Sequence, residues 1–152
     1  DALNNRSIVN QTFANVEDQA GPAIIKAETG DSDENGLIDK IYLTFSENIN
    51  TGTLAADGSD FADITDASFG SYTQATSGTA IGANNTLVTL NIDEKTATPG
   101  LSDYDTESTP TMDLSLGAIA DAANGAVSVS LQDNYQVADG SAPITIAKET
   151  KD

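Results

Sequence analysis

The sequence predicts an all-β chain folded as a sandwich. Apolar residues recur at every second position in short runs, as in Ile41, Leu43 and Phe45 and again in Val88, Leu90 and Ile92. Clusters of Gly, Asn, Asp, Ser and Thr separate these runs, and such clusters end strands and begin turns. No stretch reads as a convincing helix, although short turns fit 49–56 and 116–123.

Taken in order, the first strand covers 22–28 and starts at Pro22, where a missing N–H is tolerated. The run 37–45 is the clearest strand, with Ile41, Leu43 and Phe45 on one face and Tyr42 and Thr44 on the other. Residues 47–60 are polar and Gly-rich, hence a connection. A short edge piece fits 61–64. A strand fits 67–74, with Phe69 and Tyr72 inward. Residues 78–85 read as a turn-rich loop. Thr86 to Ile92 alternates again, with Leu87 opposed to Val88, Leu90 and Ile92. The long acidic stretch 93–111 reads as a loop broken by Pro99 and Pro110. Strands then fit 112–116 and 126–131, the latter with Val127, Val129 and Leu131 on one face. Tyr135 and Val137 close the unit.

Between the first two strands lies Asp31-Ser-Asp-Glu-Asn-Gly-Leu-Ile-Asp39. Asp31, Asp33 and Asn35 alternate with spacers, Gly36 follows at the sixth place and Asp39 at the ninth. This is the first three-quarters of a calcium loop of the EF-hand type. A hard cation needs six to eight oxygens, and a tight loop supplies them from alternate side chains. Gly36 permits the sharp turn. The ligands expected are Asp31, Asp33, Asn35, the Leu37 carbonyl and Asp39, with Ile38 anchoring the loop on the core. The twelfth place is Tyr42 rather than a bidentate Glu, and a strand follows instead of a helix. The reading is therefore a rigid loop between strands, not a sensor switch, with its remaining ligand to come from elsewhere. The bland alternative is an acidic, solvated turn.

The 152 residues carry 24 acidic and 6 basic side chains, for a net charge of −18. That charge repels nucleic acid and anionic membrane surfaces and favours divalent cations or a saline exterior. The chain has no Cys, His or Trp. Disulfides, the common zinc sites and the usual nucleophile–base pairs are thereby excluded. No apolar run approaches the roughly 20 residues of a membrane helix.

The two ends repeat one another. Val16, Asp18, Pro22, Ile25, Glu28, Thr29 and Asp31 match Val137, Asp139, Pro143, Ile146, Glu149, Thr150 and Asp152 at a constant offset of 121. Asp1-Ala-Leu-Asn4 shadows Asp121-Ala-Ala-Asn124 with a one-residue slip. Such a period means tandem modules. Residues 1–18 read as the tail of an upstream repeat or linker, 19–141 as one module, and 142–152 as the first strand of the next repeat.

Pro22 and its strand, Asp31-x-Asp-x-Asn-Gly-x-Ile-Asp39, Ile41-x-Leu-Thr-Phe-Ser-Glu47, Leu87-Val-Thr-Leu90 and Asp121-Ala-Ala-Asn-Gly125 together resemble the bacterial immunoglobulin-like repeats of S-layer proteins and large cell-surface adhesins. The order Asn124-Gly125 departs from that group's turn. The resemblance implies an immunoglobulin-like β-sandwich with a calcium loop between its first two strands. It further implies an extracellular, non-catalytic structural module on the bacterial surface. Its partners would be neighbouring repeats of the same chain and homotypic contacts in a surface lattice, with no membrane span.

Other signals are weighed beside this. Asp103-Tyr-Asp-Thr-Glu107, with Asp93 or Glu94, is a candidate second calcium site against a solvated acidic loop. Asp18 and Asp139 precede an Asp31-type position and are candidates for the missing ligand. An internal Lys–Asn cross-link would need a buried Lys, with Lys26 and Lys40 as candidates. Asn10-Gln-Thr12 and Asn84-Asn-Thr86 match the glycosylation pattern weakly. Tyr42, Tyr72, Tyr104 and Tyr135 form no sugar-stacking row. The alternative function is an adhesive or carbohydrate-binding module that uses loop 93–111 as its contact surface.

Overall fold

Ile41, Leu43 and Phe45 are buried while Tyr42 between them is exposed, as their alternation requires. The computed structural model that shows this describes residues 19–82, 85–95, 104–115, 117–123, 125 and 127–141. Residues 1–18 and 142–152, on which the flanking-repeat expectation falls, lie outside it, as do Asn10, Asn84 and Asp103.

Among the described residues, eight strands follow in chain order: β1 (Ile24–Gly30), β2 (Lys40–Phe45), β3 (Phe61–Asp66), β4 (Gly70–Ser71), β5 (Gln74–Ile81), β6 (Leu87–Ile92), β7 (Thr111–Leu114) and β8 (Gln132–Gln136). They form two four-stranded sheets, ordered β1-β2-β6-β5 and β4-β3-β7-β8, with every named pairing antiparallel. Ile41, Leu43, Val88 and Leu90 of the first sheet share one apolar core with Phe61, Ile64, Met112 and Leu114 of the second. The fold is thus a β-sandwich, with the inward residues of both sheets in one layer. Among the described residues, no helix is long and apolar enough to cross a membrane.

Several boundaries differ from those the sequence suggests. Strand β2 begins at Lys40 rather than at Leu37; Leu37 and Ile38 are buried, but in the loop before it. Strand β5 runs through 78–81, which read as loop. Gly78 lies against the main chain of Ala56, where a Cβ would come within 1.8 Å of the carbonyl oxygen. This edge strand is lined by a turn rather than by side chains, so it needs no alternating apolar residues. Strand β3 is inner by sheet order, although β4 covers only Thr65 and Asp66.

Of the strand expected over 126–131, the described residues 127–131 form no sheet strand. Ser128 bridges Ala120, and Val127 and Val129 bond to Asp121 and Ile119, folding the connection on itself. Val129 is buried there, but Leu131 is 52% exposed. The strand expected over 67–74 is split: a turn at 67–69, the short β4, then Tyr72 and Thr73 crossing to β5.

Strand direction gives the sandwich two distinct ends. At the upstream end, Ala23 and Ser46 exchange hydrogen bonds at 2.8 and 3.0 Å, and Gln132 clasps both polar groups of Ile24. Strand β1 then crosses the molecule. At the downstream end, Thr29 N–H donates to Ala138 O and Ala138 N–H to Ala27 O, both at 2.9 Å, in a parallel bridge. Gly140 N–H adds a bond to Thr29 Oγ1 at 3.1 Å.

Candidate functional site

The loop 31–39 occupies the downstream end, where it joins β1 to β2. Glu34 and Gly36 have positive φ, 58° and 96°, which close the turn. The Asp31 carboxylate accepts N–H bonds from Asn35 at 3.2 Å and Gly36 at 2.7 Å. Asp33 accepts from Asn35 N–H at 3.3 Å and from Asn35 Nδ2 at 3.0 Å. Asn35 Oδ1 accepts Leu37 N–H at 2.9 Å. The first three predicted ligands are thus gathered on one small ring of main chain.

Asp39 sits at the base of the loop. Its carboxylate accepts Ser32 N–H at 2.9 Å and the Ser32 hydroxyl, and pairs with Lys40 Nζ at 2.7 Å. Burial raises the Asp39 carboxyl, but the bonds from Lys40 and Ser32 outweigh it and hold it below its ordinary value. Asp39 N–H donates to Gly30 O and Ile92 N–H to Asp39 O, so the base is tied to β1 and β6. Among the described residues, no three acidic side chains converge closely enough to hold a metal by themselves.

The donor set, tested for fit, consists of hard oxygens on Asp31, Asp33, Asn35 and the Leu37 carbonyl, with no nitrogen or sulfur donor. That matches a hard divalent cation. Asp39, set back beside Ser32, stands where the ninth-position residue often acts through a water. A further acid reaches the loop that sequence spacing did not assign to it: Glu94 Oε1 accepts Asn35 Nδ2 at 3.1 Å.

Of the candidate second calcium site, Asp103 lies outside the described residues, and Asp105 and Glu107 diverge. Asp105 is 1% exposed and Glu107 is exposed, so the two face different surroundings. The Asp105 carboxylate accepts Ile38 N–H at 2.7 Å and the Tyr72 hydroxyl at 2.9 Å. Burial pushes the Tyr72 phenol up, and the charge of Asp105 adds to this, so the hydroxyl keeps its proton and donates. Lys95 Nζ lies 4.0 Å from the centre of the Tyr72 ring and bonds to Phe69 O. Asp66, close by, accepts N–H bonds from Ser68, Phe69 and Thr109. Burial alone would raise its carboxyl, but those amides hold it below the ordinary value. Thr106 and Ser108 are buried too, whereas Asp93, Glu94, Tyr104, Glu107 and Thr109 of loop 93–111 are exposed.

Asp139 accepts the N–H of its own neighbour Ser141. Lys26 is exposed beside Glu28, and Lys40 is bound to Asp39 and Ser32, so neither has the buried setting an internal cross-link requires. Tyr72 is buried and the Tyr42 ring lies over Gly30, while Tyr42 and Tyr104 are exposed.

No family model matches this chain, and no curated protein matches it. Among solved structures, the N-terminal part of the bacterial S-layer protein SbsC is similar with a TM-score of 0.48 and 13% identity. The similarity covers 78% of this chain and 24% of that one, so the chain spans about a quarter of that neighbour's length.

Proposed function

We propose that the chain is a calcium-stabilised, non-catalytic immunoglobulin-like module of a tandem-repeat bacterial surface protein, a spacer in an S-layer or adhesin stalk. The observation that carries this reading is the through-going path of the chain. It starts β1 at one end of the sandwich and, after β8, is latched by Ala138 and Gly140 to the other end of β1, two residues before Asp31. That arrangement suits modules in series, with the ion loop at each downstream junction. It agrees with the 121-residue repeat and with an acidic surface kept in a calcium-rich exterior.

The strand order supports the immunoglobulin-like type. Constant-type domains place strands A, B, E and D in one sheet and C, F and G in the other. Here β1-β2-β6-β5 follows the first order and β3-β7-β8 the second, with β4 as a short addition on β3. The disulfide and Trp of antibody domains are absent from the sequence.

In this reading Asp31, Asp33, Asn35 and the Leu37 carbonyl would hold calcium, with Asp39 at the loop base. The ion would neutralise carboxylates that repel one another without it. An ion bound only by the folded form stabilises it by about 2.7 kcal/mol at a hundredfold excess over Kd. Calorimetric melting in calcium and in chelator is therefore expected to differ by several degrees. The double variant Asp33→Ala/Asp39→Ala is expected to lose that difference. A parent chain that melts identically in both buffers overturns the calcium assignment.

A further inference from the structure

We infer that Asp105 is the positioning residue of the 31–39 loop: a buried strut that holds the half of the loop carrying the Leu37 carbonyl and ties it to the sandwich. This rests on the calcium reading above and names the residue on which the loop's shape depends.

Asp105 grips the loop from both sides of Leu37. Its N–H donates to Gly36 O at 3.1 Å, and its carboxylate accepts Ile38 N–H at 2.7 Å. The seventh-position carbonyl is thus held between two fixed points. The other carboxylate oxygen accepts the Tyr72 hydroxyl at 2.9 Å, and Tyr72 is itself packed in the core with Lys95 over its ring. Ser108 N–H closes a turn on Asp105 O at 2.8 Å, which fixes the strut's own backbone.

A charge this buried is costly unless it is bonded, and here it is bonded to the loop on one side and the core on the other. The half of the loop holding Asp31, Asp33 and Asn35 is closed by its own side chains. In the Gly36–Ile38 half, Gly36 N–H and Leu37 N–H go to Asp31 and Asn35, but Gly36 O and Ile38 N–H are bound by Asp105, which lies 67 residues from Ile38. Preorganised ligands bind an ion more tightly because less ordering remains for the ion to impose.

The test uses the full chain. Calcium affinity is measured by titration calorimetry, and exchange of the Ile38 amide by NMR in chelator, for the parent, Asp105→Ala, Asp105→Asn and Tyr72→Phe. Asp105→Ala is expected to weaken calcium binding at least tenfold and to speed Ile38 exchange at least tenfold without metal. Asp105→Asn keeps an acceptor for Ile38 and is expected to restore both readouts to within about threefold of the parent. Tyr72→Phe, which leaves the core shape intact, is expected to weaken binding two- to fivefold. It keeps the test open if Asp105→Ala does not fold.

If Asp105→Ala or Tyr72→Phe lowers the melting temperature while calcium affinity and Ile38 exchange stay at parental values, Asp105 is only a core brace and the inference is overturned. If the parent takes up no calcium, the ion reading itself falls and this inference with it. If the parent binds and Asp105→Ala binds equally well, this inference alone falls.

Discussion

The two ends of the sandwich are closed by different chemistry. At the upstream end, loops are joined chiefly main chain to main chain: Phe45 to Thr86, Ile49 to Asn85, Asn50 to Ala120 and Ala122 to Asn48. At the downstream end, carboxylates do much of this work, with Asp31, Asp33, Asp39, Asp66 and Asp105 all accepting backbone N–H groups. Main-chain bonds carry no net charge and are indifferent to pH and ions. At the downstream end, hydrogen bonds hold the Asp39 and Asp66 carboxyls below their ordinary value against the effect of burial, so these two groups tie that end to pH. One fold thus has an end closed mainly by main chain, with Asp60 as a carboxylate exception, and an end closed largely by carboxylates.

The largest expected effect lies at the upstream end. Ile49 is fully buried beneath those loops, and Ile49→Ala is expected to cost about 2–5 kcal/mol, read by urea unfolding. The loss should be the same in calcium and in chelator; a calcium-dependent loss would mean that the two ends are coupled. Next is Asp66→Ala, which strands the amides of Ser68, Phe69 and Thr109 and is expected to cost about 1–3 kcal/mol.

Asp66 also sets a pH dependence. Its folded-state carboxyl is held below the ordinary value of 3.8, so its stabilisation is complete above that value and is lost only as the pH falls below it. Asp60, in the connection before β3, has the opposite sign. Burial raises its carboxyl, against one N–H bond from Ala55, and the nearby charge of Asp57 adds to the rise. Its contribution is therefore present in acid and lost as the pH rises through its folded value. Asp60→Asn is expected to be neutral or stabilising at pH 7 and to lose any advantage at pH 3, measured by urea unfolding at both. Gln132→Ala, which removes the clasp on Ile24, is expected to cost about 0.5–1.5 kcal/mol regardless of calcium. The smallest effect belongs to the exposed pair Lys26–Glu28, where Lys26→Ala should change stability by less than about 1 kcal/mol.

What could be read in the sequence follows the same division. Strands β2 and β6 were legible because each buries one face and exposes the other, which imposes a period of two on Ile41, Leu43 and Phe45 and on Val88, Leu90 and Ile92. Strands β5 and β8 were obscure: their residues are mostly small or polar, and their large apolar side chains Ile81 and Tyr135 are exposed or half-buried, so position in the sheet rather than alternation makes them strands. The gathering of Asp31, Asp33 and Asn35 was legible because it is local, five residues closing on themselves. The grip of Asp105 on Ile38 was not, since one acid among 24 carries no mark of the partner that folding brings to it. Its one available signal was its spacing from the acids Asp103 and Glu107, which suggested a second ion site instead.

The latch of residues 138–140 on β1 has a mechanical consequence. A pull that enters through Ala23 and leaves through Ser141 runs along β1 and slides it past Ala138. The bonds Thr29–Ala138 and Ala138–Ala27 lie across that pull, so they share the load and must rupture together rather than peel apart one by one. In this geometry, tension between the two ends falls on the contact beside Asp31 before it reaches the core.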